Sequence, residues 1–141
     1  MTDTAKKPAY SIMALSPEKA CEKGFEFELQ HPFNDGEGMG MFITVIGPQS
    51  PKVKAYHRAK VNEQLRLEAK GNIPATTVEA LEASAIENAI AATVSWRGIV
   101  YNEADGELPF TEENARLLYA QAFVRKQVLE ASGELGNFKP N

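Results

Sequence analysis

The sequence predicts an α+β domain: an antiparallel β-hairpin or small sheet over about residues 25–47, packed against three α-helices at about 51–70, 77–97 and 112–132. Three observations lead there. "FEFELQ" alternates strictly, placing Phe25, Phe27 and Leu29 on one face and Glu26, Glu28 and Gln30 on the other, the period of a half-buried strand. "MFITVIG" is a second run of β-branched and aromatic residues that stops at Gly47-Pro48. Beyond Ser50 the apolar spacing turns helical, and the helical segments are bounded by capping residues and glycines.

Each element has its own local cause. Ser16-Pro17-Glu18 sets a cap and a proline at the first helical position, so a short helix can start there and end at Gly24. The linker "HPFNDGEGMG" carries glycines and Asn-Asp, residues that tolerate turn conformations, and is read as the tip of the hairpin. Ser50-Pro51 opens the first long helix, which Gly71 ends. Thr76 with Glu79 three residues on forms a capping-box pattern for the second, expected to run to Arg97-Gly98 as the central, most buried helix. Thr111 caps the third, with Glu112 and Glu113 in a first turn where the helix dipole favours negative charge. Between the last two, Trp96 is expected to anchor in the core with its indole N–H on a loop carbonyl, and Phe110 to staple the start of the third helix. Residues 1–15 are expected to be a flexible N-terminal segment, 16–133 a single domain and 134–141 a flexible C-terminal tail.

The third helix carries two apolar stripes on nearly opposite sides, Ala115, Leu118, Ala122 and Leu129 on one and Leu117, Val124 and Val128 on the other. One can face the domain's own core. Leu117, Val124 and Val128 are therefore candidate partner-binding residues. A second candidate surface is electrostatic. The net charge is −4, yet Ser50 to Lys70 holds six basic residues (Lys52, Lys54, Arg58, Lys60, Arg66, Lys70) against Glu63 and Glu68, a local +4 that leaves −8 elsewhere. Lys52 and Lys54 lie in the first turn of their helix, where a cation opposes the dipole at a cost of about 0.3–1 kcal/mol each. Lys52, Lys54 and Arg58 are thus candidates to meet an acidic partner.

Composition narrows the function classes. No run approaches the apolar length of a membrane span, and "MTDTAKKPAY" lacks the apolar centre of a signal peptide, so a cytoplasmic protein is expected. A single cysteine, Cys21, allows neither an internal disulfide nor a cysteine zinc cluster. His31 and His57 stand in different elements without ligand spacing, and "NDGEGMG" has neither the lysine nor the following helix of a phosphate loop, while its Asp35 and Glu37 would repel phosphate. No catalytic, metal or cofactor-binding residues are assigned; the expectation is a non-enzymatic protein without cofactors.

One stretch points to a family. Trp96-Arg97-Gly98, an acidic loop, Pro109-Phe110-Thr111-x-Glu113-Asn114, Leu117-Leu118 and a closing Gly136-Asn137-Phe138 resemble the tail assembly chaperones of long-tailed bacteriophages and prophages. The upstream "FEFELQHPF", glycine-containing tip and "MFITVIGPQSPKVKAY" are similar to the strand-turn-strand-helix of such proteins. Trp96, Pro109, Thr111 and Asn114 stand at the recognisable positions. The resemblance implies a protein that binds the long tape measure protein, keeps it soluble, helps recruit tail tube protein, self-associates or assembles on its partner, and leaves the finished virion while working in the host cytoplasm. It names no catalytic residue. The competing expectations are a minor tail or head-tail connector protein retained in the virion, and a small regulatory protein using the basic helix on nucleic acid, which the acidic remainder disfavours.

Overall fold

Strand alternation and the glycine-bearing tip produce the expected hairpin. In the computed structural model, which describes residues 11–72 and 76–139, β1 (Phe25–Gln30) and β2 (Gly38–Val45) pair antiparallel with Phe25 opposite Val45 and Glu28 opposite Phe42. A third strand, β3 (Thr93–Arg97), completes an antiparallel sheet of order β1-β2-β3, with Ile43 opposite Trp96. The α+β class therefore holds, with one more strand than the hairpin alone.

That strand corrects the second helix. The helix α4 spans Val78–Ala92 and stops there, rather than running to Arg97. Trp96 falls in helical phase with Ala85 and Ala89, which extends the apparent stripe. However, Thr93-Val94 is β-branched, and β2 offers this segment a ladder of hydrogen bonds that a helix end lacks. The cap also shifts by one residue: Thr77, not Thr76, accepts the N–H of Ala80.

The remaining helices follow their caps. Short α1 (Ile12–Leu15) starts at Ser11, whose hydroxyl accepts the N–H of Ala14, and α2 (Pro17–Lys23) ends at Gly24. The expectation of a flexible segment falls partly on residues 1–10, outside the described residues; residues 12–15 form a helical turn. Helix α3 (Pro51–Ala69) is capped by Ser50, itself buried with its hydroxyl donating to the Gly47 carbonyl at 2.8 Å. Gly71, at φ +77, ends it in the left-handed region that glycine enters freely.

The third helix is broken in two, α5 (Glu112–Tyr119) and α6 (Ala122–Gly133), with Gln121 extended between them. The Tyr119 carbonyl freed by the break accepts Arg125 Nη1 at 2.9 Å. The break re-phases the chain. Leu118 on α5 and Val124 and Val128 on α6, which one straight helix would put on different sides, all enter the same core.

That core lies between the inner face of the sheet and α4, α5 and α6: Leu29, Ile43, Val45, Ala89, Trp96, Ile99, Tyr119 and their neighbours are buried. Residues beyond 133, expected as a flexible tail, instead form a 3-10 turn at Leu135–Phe138 that packs on α2. Phe138 is buried edge-on to Phe25 with ring centroids 6.2 Å apart. Apolar burial of one aromatic side chain outweighs the local tendency of a short, glycine-bearing terminus to fray. Residues 140 and 141 lie outside the described residues.

Candidate functional site

The family-like stretch assembles into one corner. Thr111 Oγ1 accepts the N–H of Asn114, and Asn114 Nδ2 donates to the Pro109 carbonyl at 2.9 Å, so a single side chain ties the loop to the helix it precedes. Trp96 Nε1 donates to the Leu108 carbonyl at 2.8 Å. Its ring meets Phe110 edge-on at 4.9 Å and Tyr119 at 6.3 Å. The loop between is a small hairpin closed by the Val100–Glu107 bridge and the Leu108 N–H to Ile99 carbonyl bond. Trp96, Pro109, Phe110, Thr111 and Asn114 hold a corner together, and none of them lines a reactive cleft.

The candidate partner-binding residues divide. Val124 and Val128 are 2% and 0% exposed, so they are core and cannot meet a partner; the re-phasing at Gln121 is the reason. Leu117 stays on the surface of α5. The basic trio does not form one patch. Lys52 lies on one flank of α3 and reaches the Thr93 carbonyl at 3.4 Å, beside Tyr56, Glu87 and Glu112 in a cleft of about 220 Å³. Lys54 lies on the other flank and pairs with Glu18 of α2 at 3.2 Å. Arg58 follows Lys54 one turn on and enters none of the ion pairs found among the described residues.

What the sequence reading missed lies between these residues. Helix α3 packs chiefly on α4 and buries only Val53 fully. The first turns of α4, Val78 to Ala83, are exposed. Along this antiparallel helical hairpin four large apolar side chains stand in the open: Val61 at 55%, Leu65 at 57%, Val78 at 78% and Leu81 at 61%. The second helix, expected to be the most buried, is so at Ala89 but not at its distal end, where Val78 and Leu81 are exposed. The available signal was the spacing of Lys54, Arg58, Val61 and Leu65, four-three-four along one flank and distinct from the inward line of Val53, Tyr56, Lys60 and Leu67.

Other clusters have local explanations. His31 Nδ1 accepts the N–H groups of Phe33 and Asn34 within its own turn. The Glu28 carboxylate accepts the Gly40 N–H at 2.7 Å, tying the hairpin tip to β1. On the outer face of the sheet Arg97 donates twice to Glu26, at 2.9 and 3.0 Å, and lies over the Phe42 ring; the hydrogen bonds hold the Glu26 carboxyl below the usual range. Among the described residues no group of three His, Cys, Asp or Glu side chains converges as a metal site would require, and no helix is long and apolar enough to cross a membrane. An apolar cleft of about 410 Å³ opens where α5 breaks into α6, lined by Met39, Met41, Tyr101 and Phe123 among others, without a titratable pair for chemistry. The uncovered helical hairpin is the candidate functional surface. No protein-family model, curated protein or solved structure matches this chain. The surface itself therefore carries the functional argument.

Proposed function

We propose that this protein is a non-enzymatic tail assembly chaperone of a long-tailed bacteriophage or prophage, which binds the tape measure protein in the host cytoplasm, promotes tail tube assembly and leaves before the virion is complete. The observation that supports it is the α3–α4 hairpin, where Val61 and Leu65 on the basic α3 and Val78 and Leu81 on α4 are uncovered. A long helical client with apolar stripes aggregates when those stripes meet one another, and a protein offering exposed apolar helix faces can cover them helix against groove. Several copies along one client multiply modest affinities. The sequence pattern around Trp96, Pro109, Thr111 and Asn114 supports the same reading.

The test is coexpression with a tape measure protein from the genome that carries the gene. The proposal expects the tape measure protein to move from the insoluble to the soluble fraction and to copurify with this chain. An insoluble tape measure protein and an unaccompanied chain would overturn it. Mass spectrometry of purified particles separates the chaperone from a minor tail or head-tail connector protein: the former is absent from the virion and the latter present in fixed number. Retention on DNA that falls steeply with salt would instead favour a nucleic-acid function for the basic helix.

A further inference from the structure

The sheet ends at β1 on one side, and an edge strand offers its outer N–H and C=O groups to any extended chain that meets it. Here side chains hold those groups. Gln127 of α6 takes both backbone groups of Gln30: its Oε1 accepts the Gln30 N–H at 2.8 Å and its Nε2 donates to the Gln30 carbonyl at 3.0 Å. These are the two bonds that a residue of a neighbouring antiparallel strand would exchange with Gln30. Two residues back, Gln30 Nε2 donates to the Glu28 carbonyl at 3.1 Å, so the strand covers that position with a side chain of its own.

The strand behind this clasp is well suited to further pairing. Phe25, Phe27 and Leu29 alternate with polar residues along it, the composition of a pleated, half-buried surface. Charge does not close the edge either. The Glu26 and Glu28 carboxylates reach across the sheet, away from the edge: Glu26 to Arg97 of β3 at 2.9 and 3.0 Å, Glu28 to the Gly40 N–H of β2 at 2.7 Å. At the opposite edge of the sheet Thr93 of β3 is served in a similar way, its N–H by the Ile90 carbonyl and its carbonyl by Lys52 Nζ at 3.4 Å.

We infer that the Gln127 side chain is a guard on this edge: it occupies the place of a fourth strand and keeps two copies of the chain from pairing through β1. Without it, two β1 edges would join antiparallel about a twofold axis and merge two three-stranded sheets into one of six strands. A second copy is the partner to be excluded because it brings the same edge to every encounter. Glutamine suits the task, since donor and acceptor on one carbon reach both groups of Gln30 from a stem held by α6. Glutamate in its place would lack the donor. This role is independent of the client that the chaperone reading assigns.

The test uses the full chain as wild type, Q127A and Q127E, each checked for fold by circular dichroism, since alanine and glutamate both keep the helix. Amide exchange of Phe25–Gln30 is read by nuclear magnetic resonance at low and at high protein concentration, beside sedimentation velocity. In Q127A these amides should become protected as concentration rises, with a dimer forming at a concentration at least about tenfold lower than in wild type, the effect of removing two competing hydrogen bonds. Q127E should shift the same way but less, because its carboxylate still accepts the Gln30 N–H, and it carries the same reading if Q127A fails to fold. Adding Q30P to Q127A removes the outward N–H at an edge position where proline is tolerated, and should restore the monomer. Protection of β1 that rises with concentration equally in wild type and variant, or in neither, overturns the inference. A Q127A dimer that persists with Q30P overturns it as well.

Discussion

At the scale of single residues, Tyr119 and Trp96 carry the most weight. Tyr119 is fully buried with its hydroxyl 2.6 Å from Thr93 Oγ1, and the Thr93 hydroxyl donates onward to the Ala89 carbonyl at 2.7 Å, so Thr93 accepts from Tyr119. This chain joins the end of α4 to the end of α5. Burial pushes the Tyr119 phenol well above its ordinary value, more than the Thr93 hydrogen bond lowers it. Because the folded value is raised, its contribution to stability is complete below the unfolded phenol's pKa of about 10 and is lost as pH rises beyond it. Tyr119→Phe should cost about 1 kcal/mol near neutral pH, one hydrogen bond's net worth, and should flatten the fall in stability above about pH 10. Urea midpoints of the two proteins across the alkaline range check both parts; parallel curves would remove Tyr119 as the cause. Trp96→Phe keeps the aromatic packing but leaves the Leu108 carbonyl without its donor, an expected loss of about 1–2 kcal/mol in urea unfolding. Trp96→Ala should cost about 3–5 kcal/mol. The anchoring role of this tryptophan was legible from its place at the end of an apolar run before a polar loop. The Thr93–Tyr119 link was not, because the two residues are separated by the whole corner and only the fold brings them together.

At the scale of elements, caps read well and breaks did not. Thr111 was identifiable from acidic residues following a hydroxyl, and its bond to the Asn114 N–H confirms the cap. Thr111→Ala should lower stability by about 1 kcal/mol without changing the fold, measured by denaturant unfolding and far-ultraviolet circular dichroism. The break at Gln121 follows no proline or glycine. It is decided by what it allows, namely that Leu118, Val124 and Val128 bury together, so no local rule announces it. The C-terminal turn teaches the same lesson. Gly47 packs so closely that a Cβ there would lie 2.3 Å from Cys21 Sγ and 3.2 Å from the Phe138 ring. Gly47→Ala should cost about 1–3 kcal/mol through overpacking. Phe138→Ala should cost about 3–5 kcal/mol and open a path to Cys21, which is wholly buried. A thiol reagent under native conditions reads this directly: slow labelling of wild type and faster labelling of Phe138→Ala are expected, whereas equal rates would mean the terminus does not cover the cysteine.

At the scale of the molecule, a packed body and an exposed helical hairpin divide the chain's stability between them. The sheet, the C-terminal half of α4 and α5–α6 share one core, while among the described residues distal α3 and the first turns of α4 contribute no side chain to it. Amide hydrogen exchange should therefore be fast at about residues 58–72 and 76–84, where few buried contacts oppose local opening, and slow at Ile43, Val45 and Ala89 to Ala92. Uniform protection along α3 and α4 would contradict a loosely held hairpin. The α+β class, the first two strands, the helix starts and the basic charge of α3 were determined by the sequence itself. Each follows from short-range physics: side-chain alternation, capping of unpaired N–H groups, and charge counted along one segment. Only the tertiary structure decided that Thr93–Arg97 is a strand, that the last helix breaks, that Val124 and Val128 are core while Val61, Leu65, Val78 and Leu81 are surface, and that Phe138 is buried edge-on to Phe25. Those outcomes depend on which apolar face finds a partner in space, and a one-dimensional pattern records that a face is apolar but not what covers it.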